Sequence, residues 1–147
     1  MAIGSIGFIL WHPIWSATIP SEDPNGSMVY PTAAVKYLKE RGFTGNVMTP
    51  FASGAYVSWM CYPSVRVSLD GRYEVAYRED ILPKHDLFYG AELGWQKVLD
   101  EFPADLVLVQ KNAAVHRYLG KRGTNTESWQ VIHEDPVFAL YANKAGP

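Results

Sequence analysis

The chain has 147 residues, of which 48% are hydrophobic and 14% aromatic, and this length suits one domain with a sizeable core rather than two domains. Thirteen basic against fifteen acidic side chains give a formal net charge of -2. No cluster of lysine or arginine is long enough to follow a phosphate backbone, so we expect no nucleic-acid partner.

The amino end of the chain is strongly apolar. Residues 6–15 fall short of the ~20 residues that cross a bilayer. They also make a poor signal peptide, because no basic residue precedes them and Pro13 interrupts them. Three interpretations stay open: a core or edge strand, an artificial start inside a larger protein, or the interfacial end of a transmembrane helix, where the two tryptophans would be favoured.

A connector follows this apolar segment. Residues 16–30 contain two prolines and an Asn-Gly pair without apolar periodicity, which is typical of an exposed loop. We therefore predict an apolar juxtamembrane-like or edge segment with its connector over residues 1–30, and a single α/β domain over residues 31–147.

The first half of this domain alternates helix and strand. A helix is predicted from Pro31, which suits a first turn, to the stop at Gly42. Residues 45–51 then indicate a short strand, a brief helix runs to Cys61, and residues 65–69 indicate a second strand.

The second half begins with an irregular polar stretch over residues 70–89, which we predict to be a long loop. After it the pattern predicts a helix over residues 95–102, a strand over residues 104–109 and a helix over residues 112–119 that Asn112 caps. Strands over residues 129–133 and 137–141 are predicted to form a terminal hairpin. This alternation predicts an α/β fold with a mostly parallel sheet, helices on its faces and an antiparallel C-terminal hairpin.

The common catalytic signatures are missing. Lys121 lacks the upstream glycine and the following serine or threonine of a P-loop. Ser53 lacks the glycine two positions before it that a nucleophile elbow needs, so a helix cap explains it better. The four histidines never pair at helical metal spacing, and Cys61 is the single cysteine. We predict no catalytic residue, no metal ligand and no cofactor. Among the histidines, His85 beside Asp86 is the best isolated candidate for a metal site that the fold would assemble.

One turn combines a carboxylate and a guanidinium at the expected end of a strand. If residues 65–69 are a central parallel strand, Asp70 and Arg72 lie at its carboxyl end, where α/β sheets bind ligands. Arg72 could hold a phosphate or carboxylate, and Asp70 could accept sugar hydroxyls; alternatively, the two residues only brace the turn. The candidate ligand-binding residues are Asp70, Arg72, Tyr73, Glu74, Ser53, Tyr56 and His85.

Several short motifs follow one another in a distinctive order: Pro31 with Ala34-Val35, Gly45-Asn46-Val47, Ser53-Gly54-Ala55-Tyr56, Val65 through Arg72, and Trp129 through Asp135. In this order, over about residues 31–142, the chain resembles the extracytoplasmic C-terminal domain of multi-pass bacterial membrane proteins related to the GT-C glycosyltransferases. It departs from that pattern at Gly54-Ala55-Tyr56-Val57, where the family has Gly-Gly-Tyr-Leu.

The resemblance implies a soluble α/β module on the extracytoplasmic face of a bacterial membrane. Its partners would be the membrane-embedded part of the same polypeptide and a lipid-linked sugar or acceptor. GT-C catalysis uses an acidic residue between early membrane spans, to which nothing here corresponds, so the implied role is noncatalytic. Two alternatives stay open: a freestanding small α/β hydrolase using Asp70, Glu74 or His85, and an interaction module that docks through exposed aromatic side chains.

Overall fold

The computed structural model describes residues 29–121 and 127–144. Its strands are β1 (Gly45–Met48), β2 (Val65–Val67), β3 (Leu106–Gln110), β4 (Trp129–Glu134) and β5 (Phe138–Asn143). Its α-helices are α1 (Thr32–Glu40), α2 (Phe51–Cys61), α3 (Tyr73–Ala76), α4 (Ile81–Tyr89) and α5 (Lys97–Glu101), and a 3₁₀ helix spans Ala114–Arg117.

The strands form one mixed sheet in the order β2-β1-β3-β5-β4. Strand β1 pairs in parallel with β2 and with β3, whereas β5 pairs antiparallel with both β3 and β4. Strand β5 therefore runs against the other four strands. The α/β class and the antiparallel C-terminal hairpin are confirmed, in a mixed sheet that is mostly but not wholly parallel.

Helices cover both faces of the sheet, so two apolar cores share its strands. The core under α1 and α2 contains Ala34, Val35, Leu38, Val47, Val57, Cys61, Val65, Leu106, Leu108, Phe138 and Leu140. The core on the opposite face, under α4, α5 and the 3₁₀ helix, contains Met48, Phe88, Trp95, Val98, Val107, Val109, Val115, Leu119, Trp129, Ala139 and Tyr141. Side chains of β3 alternate between the two cores, as the two-residue period of a strand requires.

The predicted first helix and the hairpin are confirmed. Helix α1 buries the stripe Ala34, Val35 and Leu38 and is followed by Gly42 at φ +59°, a left-handed conformation that glycine adopts at little cost. In the hairpin, the Asp135 carboxylate accepts the backbone N–H groups of Val137 and Phe138 at 2.7 and 2.6 Å. This contact fixes the turn between β4 and β5.

The prediction of a loop over residues 70–89 was wrong, because α3 and α4 lie within it. Proline disfavours a helix interior, but Pro83 occupies the first turn of α4, where a backbone N–H has no intrahelical acceptor. Proline is therefore compatible with this helix.

Three other predicted elements differ in extent. The helix over residues 95–102 is confined to α5, and the helix expected after Asn112 is a 3₁₀ helix preceded by Ala113 at the N-cap position. Ser53 does not cap α2, since that helix begins at Phe51 after Pro50. Proline at the cap is compatible with this start because its missing N–H would have had no helical partner.

The predicted apolar segment and nearly all of its connector, residues 1–28, lie outside the described residues. Residues 122–126, between the predicted helix over residues 112–119 and the terminal hairpin, lie outside them as well. Among the helices of residues 29–121 and 127–144, none is both long enough and apolar enough to span a bilayer.

Candidate functional site

The turn that follows β2 holds an ion pair between a buried carboxylate and an exposed guanidinium. The Asp70 side chain is 2% exposed and that of Arg72 67%. Arg72 Nε donates to both carboxylate oxygens at 3.1 Å, and Nη2 donates to Oδ2 at 2.5 Å. The backbone N–H of Arg72 donates to Oδ1 at 2.9 Å, so the turn and the ion pair support each other.

These hydrogen bonds keep Asp70 ionised. The hydrogen bond from the Arg72 side chain lowers the pKa of the Asp70 carboxyl, against the opposing effect of its burial. Tyr77 also contributes a hydrogen bond that lowers this pKa, and burial raises the pKa of the Tyr77 hydroxyl. The site therefore presents a firmly charged pair whose two charges offset each other.

This pair lies beside an open cleft of about 680 Å³, which we call the aromatic cleft. It is lined by Ala55, Ser58, Trp59 and Tyr62 from α2 and the residue after it, and by Asp70, Gly71 and Arg72. Trp59 is 84% exposed and Tyr62 is 82% exposed. Two large aromatic side chains with so much exposed surface give the cleft an apolar wall opposite its charged turn.

A close backbone approach holds the two walls of this cleft together. Gly54 of α2 lies against the backbone of Leu69 and Asp70, and a Cβ atom at Gly54 would overlap the Leu69 carbonyl oxygen. Gly71, in contrast, has open space around its Cα and no positive φ. The close approach therefore requires glycine at Gly54 in the helix, whereas the position of Gly71 in the turn does not require it.

Four of the predicted site residues, Ser53, Tyr56, Glu74 and His85, are not among the side chains that line the aromatic cleft. Ser53 is 1% exposed in α2, and its Oγ has no hydrogen-bond partner among the described residues. Tyr56 is half-buried and its ring centroid lies 4.9 Å from that of Tyr30, so it contributes to packing. Glu74 is exposed on α3. Tyr73 is the first residue of α3.

His85 lines a second cavity, on the other face of the sheet. It is 6% exposed, and its Nε2 lies 2.7 Å from the carbonyl oxygen of Thr49. Burial lowers the pKa of His85, with the contact to the Thr49 carbonyl acting in the opposite direction. Since a carbonyl only accepts, Nε2 carries the proton of a neutral ring.

The sequence analysis missed Trp59 and Tyr62, although a signal was present. Residues 55, 58, 59 and 62 are spaced as one face of a helix, and the opposite face carries the buried Val57 and Cys61. Helix α2 has apolar side chains on both faces, so its periodicity does not show which face lies outside. The packing of Gly54 against Leu69 decides that.

Within residues 29–121 and 127–144, no group of three or more histidine, cysteine, aspartate or glutamate side chains is arranged to hold a metal ion. Comparison with known proteins identifies no relative, since no protein-family model, curated protein or solved structure matches the chain.

Proposed function

We propose that this chain is a noncatalytic sugar-binding α/β domain that serves as the extracytoplasmic accessory domain of a glycosyltransferase-like bacterial membrane protein. One observation carries the sugar-binding part of the proposal: the exposed Trp59 and Tyr62 share a cleft with the Asp70–Arg72 pair. The accessory role rests on the order of short motifs between residues 31 and 142.

The chemistry of the aromatic cleft matches that of a sugar. A pyranose has apolar C–H faces that pack on an aromatic ring and a rim of hydroxyl groups that need hydrogen bonds. Trp59 and Tyr62 supply rings that combine an apolar face with one polar group. Arg72 has five N–H groups, of which Asp70 engages those at Nε and Nη2, so the guanidinium keeps donors for hydroxyl oxygens.

The charge balance favours an uncharged sugar over a phosphate. Asp70 faces Arg72 at hydrogen-bond distance, so the positive charge that a phosphate would need is already offset. We therefore assign the aromatic cleft to the sugar portion of a lipid-linked donor or an acceptor.

The same geometry gives no support to a hydrolase. Both oxygens of the Asp70 carboxylate accept hydrogen bonds from Arg72. These hydrogen bonds lower the pKa of Asp70, so this carboxylate is a weak general base. His85 lines a different cavity, and its Nε2 is engaged by Thr49. Asp70 and His85, two of the residues on which the hydrolase alternative depends, thus do not face one space.

Titration with methyl glycosides tests this proposal on the 147-residue chain. A panel of glucosides, galactosides, mannosides and N-acetylglucosaminides is followed by tryptophan fluorescence and by amide chemical shifts. We expect at least one glycoside to shift residues of the aromatic cleft, and Trp59→Ala to weaken its binding about tenfold. Leu93→Ala, which removes an exposed side chain outside the cleft, is the matched control and should bind normally.

Arg72→Ala separates a ligand contact from a brace. We expect this variant to lose affinity for the glycoside and also some stability, because the buried Asp70 carboxylate loses the guanidinium that offsets its charge. A large fall in the midpoint with unchanged affinity would assign Arg72 to bracing the turn. Absence of any glycoside response in the cleft would reject sugar binding and favour the interaction-module alternative.

The accessory role has its own test. It predicts that the native gene product fractionates with membranes and contains spans before this domain. A native product that begins at Met1 and stays in the aqueous fraction would overturn the accessory role and leave the sugar-binding result unaffected.

A further inference from the structure

A second cavity, of about 370 Å³, lies where β1 and β2 end, on the face of the sheet opposite α2. We propose that this strand-end cavity binds a small amphipathic anion, a carboxylate or phosphate monoester with a short unbranched apolar chain. The inference does not depend on sugar binding, because the aromatic cleft has a separate set of lining residues.

The position of the cavity is typical of ligand sites in α/β folds. Met48 is the last residue of β1, and Ser68 directly follows β2. The Ser68 hydroxyl accepts the backbone N–H of Thr49 at 3.1 Å, which ties the two strand ends together. The carboxyl ends of neighbouring parallel strands thus form the floor of the cavity, where such folds usually bind their ligands.

The interior of the cavity is apolar. Met48 and Val67 come from the sheet, Val98 and Phe102 come from α5 and its end, and Ile81 begins α4. Ser68 and His85 also line the cavity, but the Ser68 hydroxyl and His85 Nε2 are already hydrogen-bonded to Thr49, so the deep part of a ligand meets mainly hydrocarbon. The volume is in the range of small-molecule sites.

At the opening of the cavity, positively and negatively charged side chains alternate. Arg78 Nη2 and Lys84 Nζ both contact Asp80 Oδ2, at 3.0 and 2.8 Å, and Lys84 also contacts Glu101. The two cationic groups therefore lie close together at one side of the opening. Lys84 is held by carboxylates of α5 and of the residue before α4, so its ammonium is positioned before any ligand arrives.

Arg78 and Lys84 meet at one carboxylate oxygen, Asp80 Oδ2, so two cations flank one carboxylate there, unlike the one-to-one pair of the aromatic cleft, and this favours an anionic head. A guanidinium has five N–H groups and an ammonium has three, and the ion pairs given for Arg78 and Lys84 use only some of them. Asp80 Oδ2, by contrast, already accepts from both cations. A carboxylate or phosphate can accept hydrogen bonds from the remaining N–H groups, whereas an ammonium group would lie beside two cations.

Octanoate, octan-1-ol and octylamine are the probes that test this inference on the 147-residue chain. We expect octanoate to bind and to shift the amide signals of Met48, Ser68 and Val98, with octanol and octylamine binding much more weakly. Affinity should rise about fourfold per methylene from butanoate to octanoate, since each buried methylene adds a constant free energy. Octyl phosphate then shows whether the head can be a phosphate.

Two variants locate the binding. Lys84→Gln should weaken octanoate binding about tenfold. Lys36→Gln is its matched control, because Lys36 is also paired with an acidic residue four positions away but lies on α1. Ala76→Phe places a ring at the exposed edge of the cavity and should abolish binding without altering the core.

Equal binding of octylamine and octanoate would overturn the anionic assignment. Unchanged octanoate affinity in Ala76→Phe, or no binding of any of these probes to a folded chain, would overturn the site itself. Thermal melts of each variant establish that the chain is folded in every comparison.

Discussion

At the scale of single residues, burial controls the behaviour of His85. Its ring is almost fully covered, its Nε2 proton is donated to the Thr49 carbonyl oxygen at 2.7 Å, and burial lowers its pKa. A histidine whose folded-state pKa is lowered binds its proton more readily in the unfolded chain. The unfolded state is therefore favoured as pH falls through the ordinary histidine range, near 6.5.

The first prediction at this scale concerns acid stability. We expect the free energy of unfolding to decrease from pH 7.5 toward pH 5, with His85 contributing a slope of at most about 1.4 kcal/mol per pH unit. His85→Gln keeps an N–H donor for Thr49 but cannot titrate, so this part of the slope should disappear. Chemical denaturation at a series of pH values measures the effect.

His116→Gln is the control for that measurement, since His116 lies on the 3₁₀ helix and contacts Tyr141. It should retain the slope that His85 causes. An identical pH dependence in wild type and His85→Gln would mean that burial of His85 does not affect folding.

At the scale of elements, the packing of α2 against the end of β2 forms the aromatic cleft. Gly54 brings the helix backbone against Leu69 and Asp70, which places Trp59 and the Asp70–Arg72 pair on one concave surface. A side chain at this position would have to push the helix away from rigid backbone rather than from a flexible side chain. The cleft therefore depends on one glycine.

Substitution of the glycines tests this dependence. Alanine at Gly54 gains about 1 kcal/mol in helix propensity but costs about 3 kcal/mol in overpacking, so we expect Gly54→Ala to lower the free energy of unfolding by about 2 kcal/mol. Gly71→Ala, which meets open space, should change it by less than about 0.5 kcal/mol. Urea denaturation of both variants gives the comparison, and equal stabilities would show that α2 does not approach Leu69 so closely.

At the scale of the whole molecule, one sheet joins the two apolar cores. Val107 and Leu108 are neighbours in β3 and are 0% and 1% exposed, yet they belong to cores on opposite faces. Loss of either core would expose one face of the same strands. We therefore expect the two layers to unfold together.

Denaturation by two probes checks this expectation. Far-UV circular dichroism reports on all helices, whereas tryptophan fluorescence includes Trp95 and Trp129 of one core. Both probes should give a single coincident transition in wild type, in Val107→Ala and in Leu108→Ala, with each variant losing about 1–4 kcal/mol. Separate midpoints for the two probes would show that the layers unfold independently.

Much of the fold could be read from local sequence. The stripe in α1, the unbroken apolar run of β3 and the turn at Asp135 each contain their own signal within a few residues, because period, burial and turn chemistry are local properties. Helix α4 could not be read in this way. Its proline is tolerated only at the position where the helix happens to start, and its buried residues, His85 and Phe88, do not form a clear stripe.

The sequence alone determined the alternation of helices and strands outside residues 70–89, the final hairpin and the proximity of Asp70 to Arg72, since residues two positions apart in a turn lie close together. Only the tertiary structure decided that Trp59 and Tyr62 share a cleft with this pair. It also decided that Lys84 lines the cavity at the ends of β1 and β2. Those arrangements join side chains of different helices, strands and turns. They follow from close packing of helices on a shared sheet, which no local pattern of residues encodes.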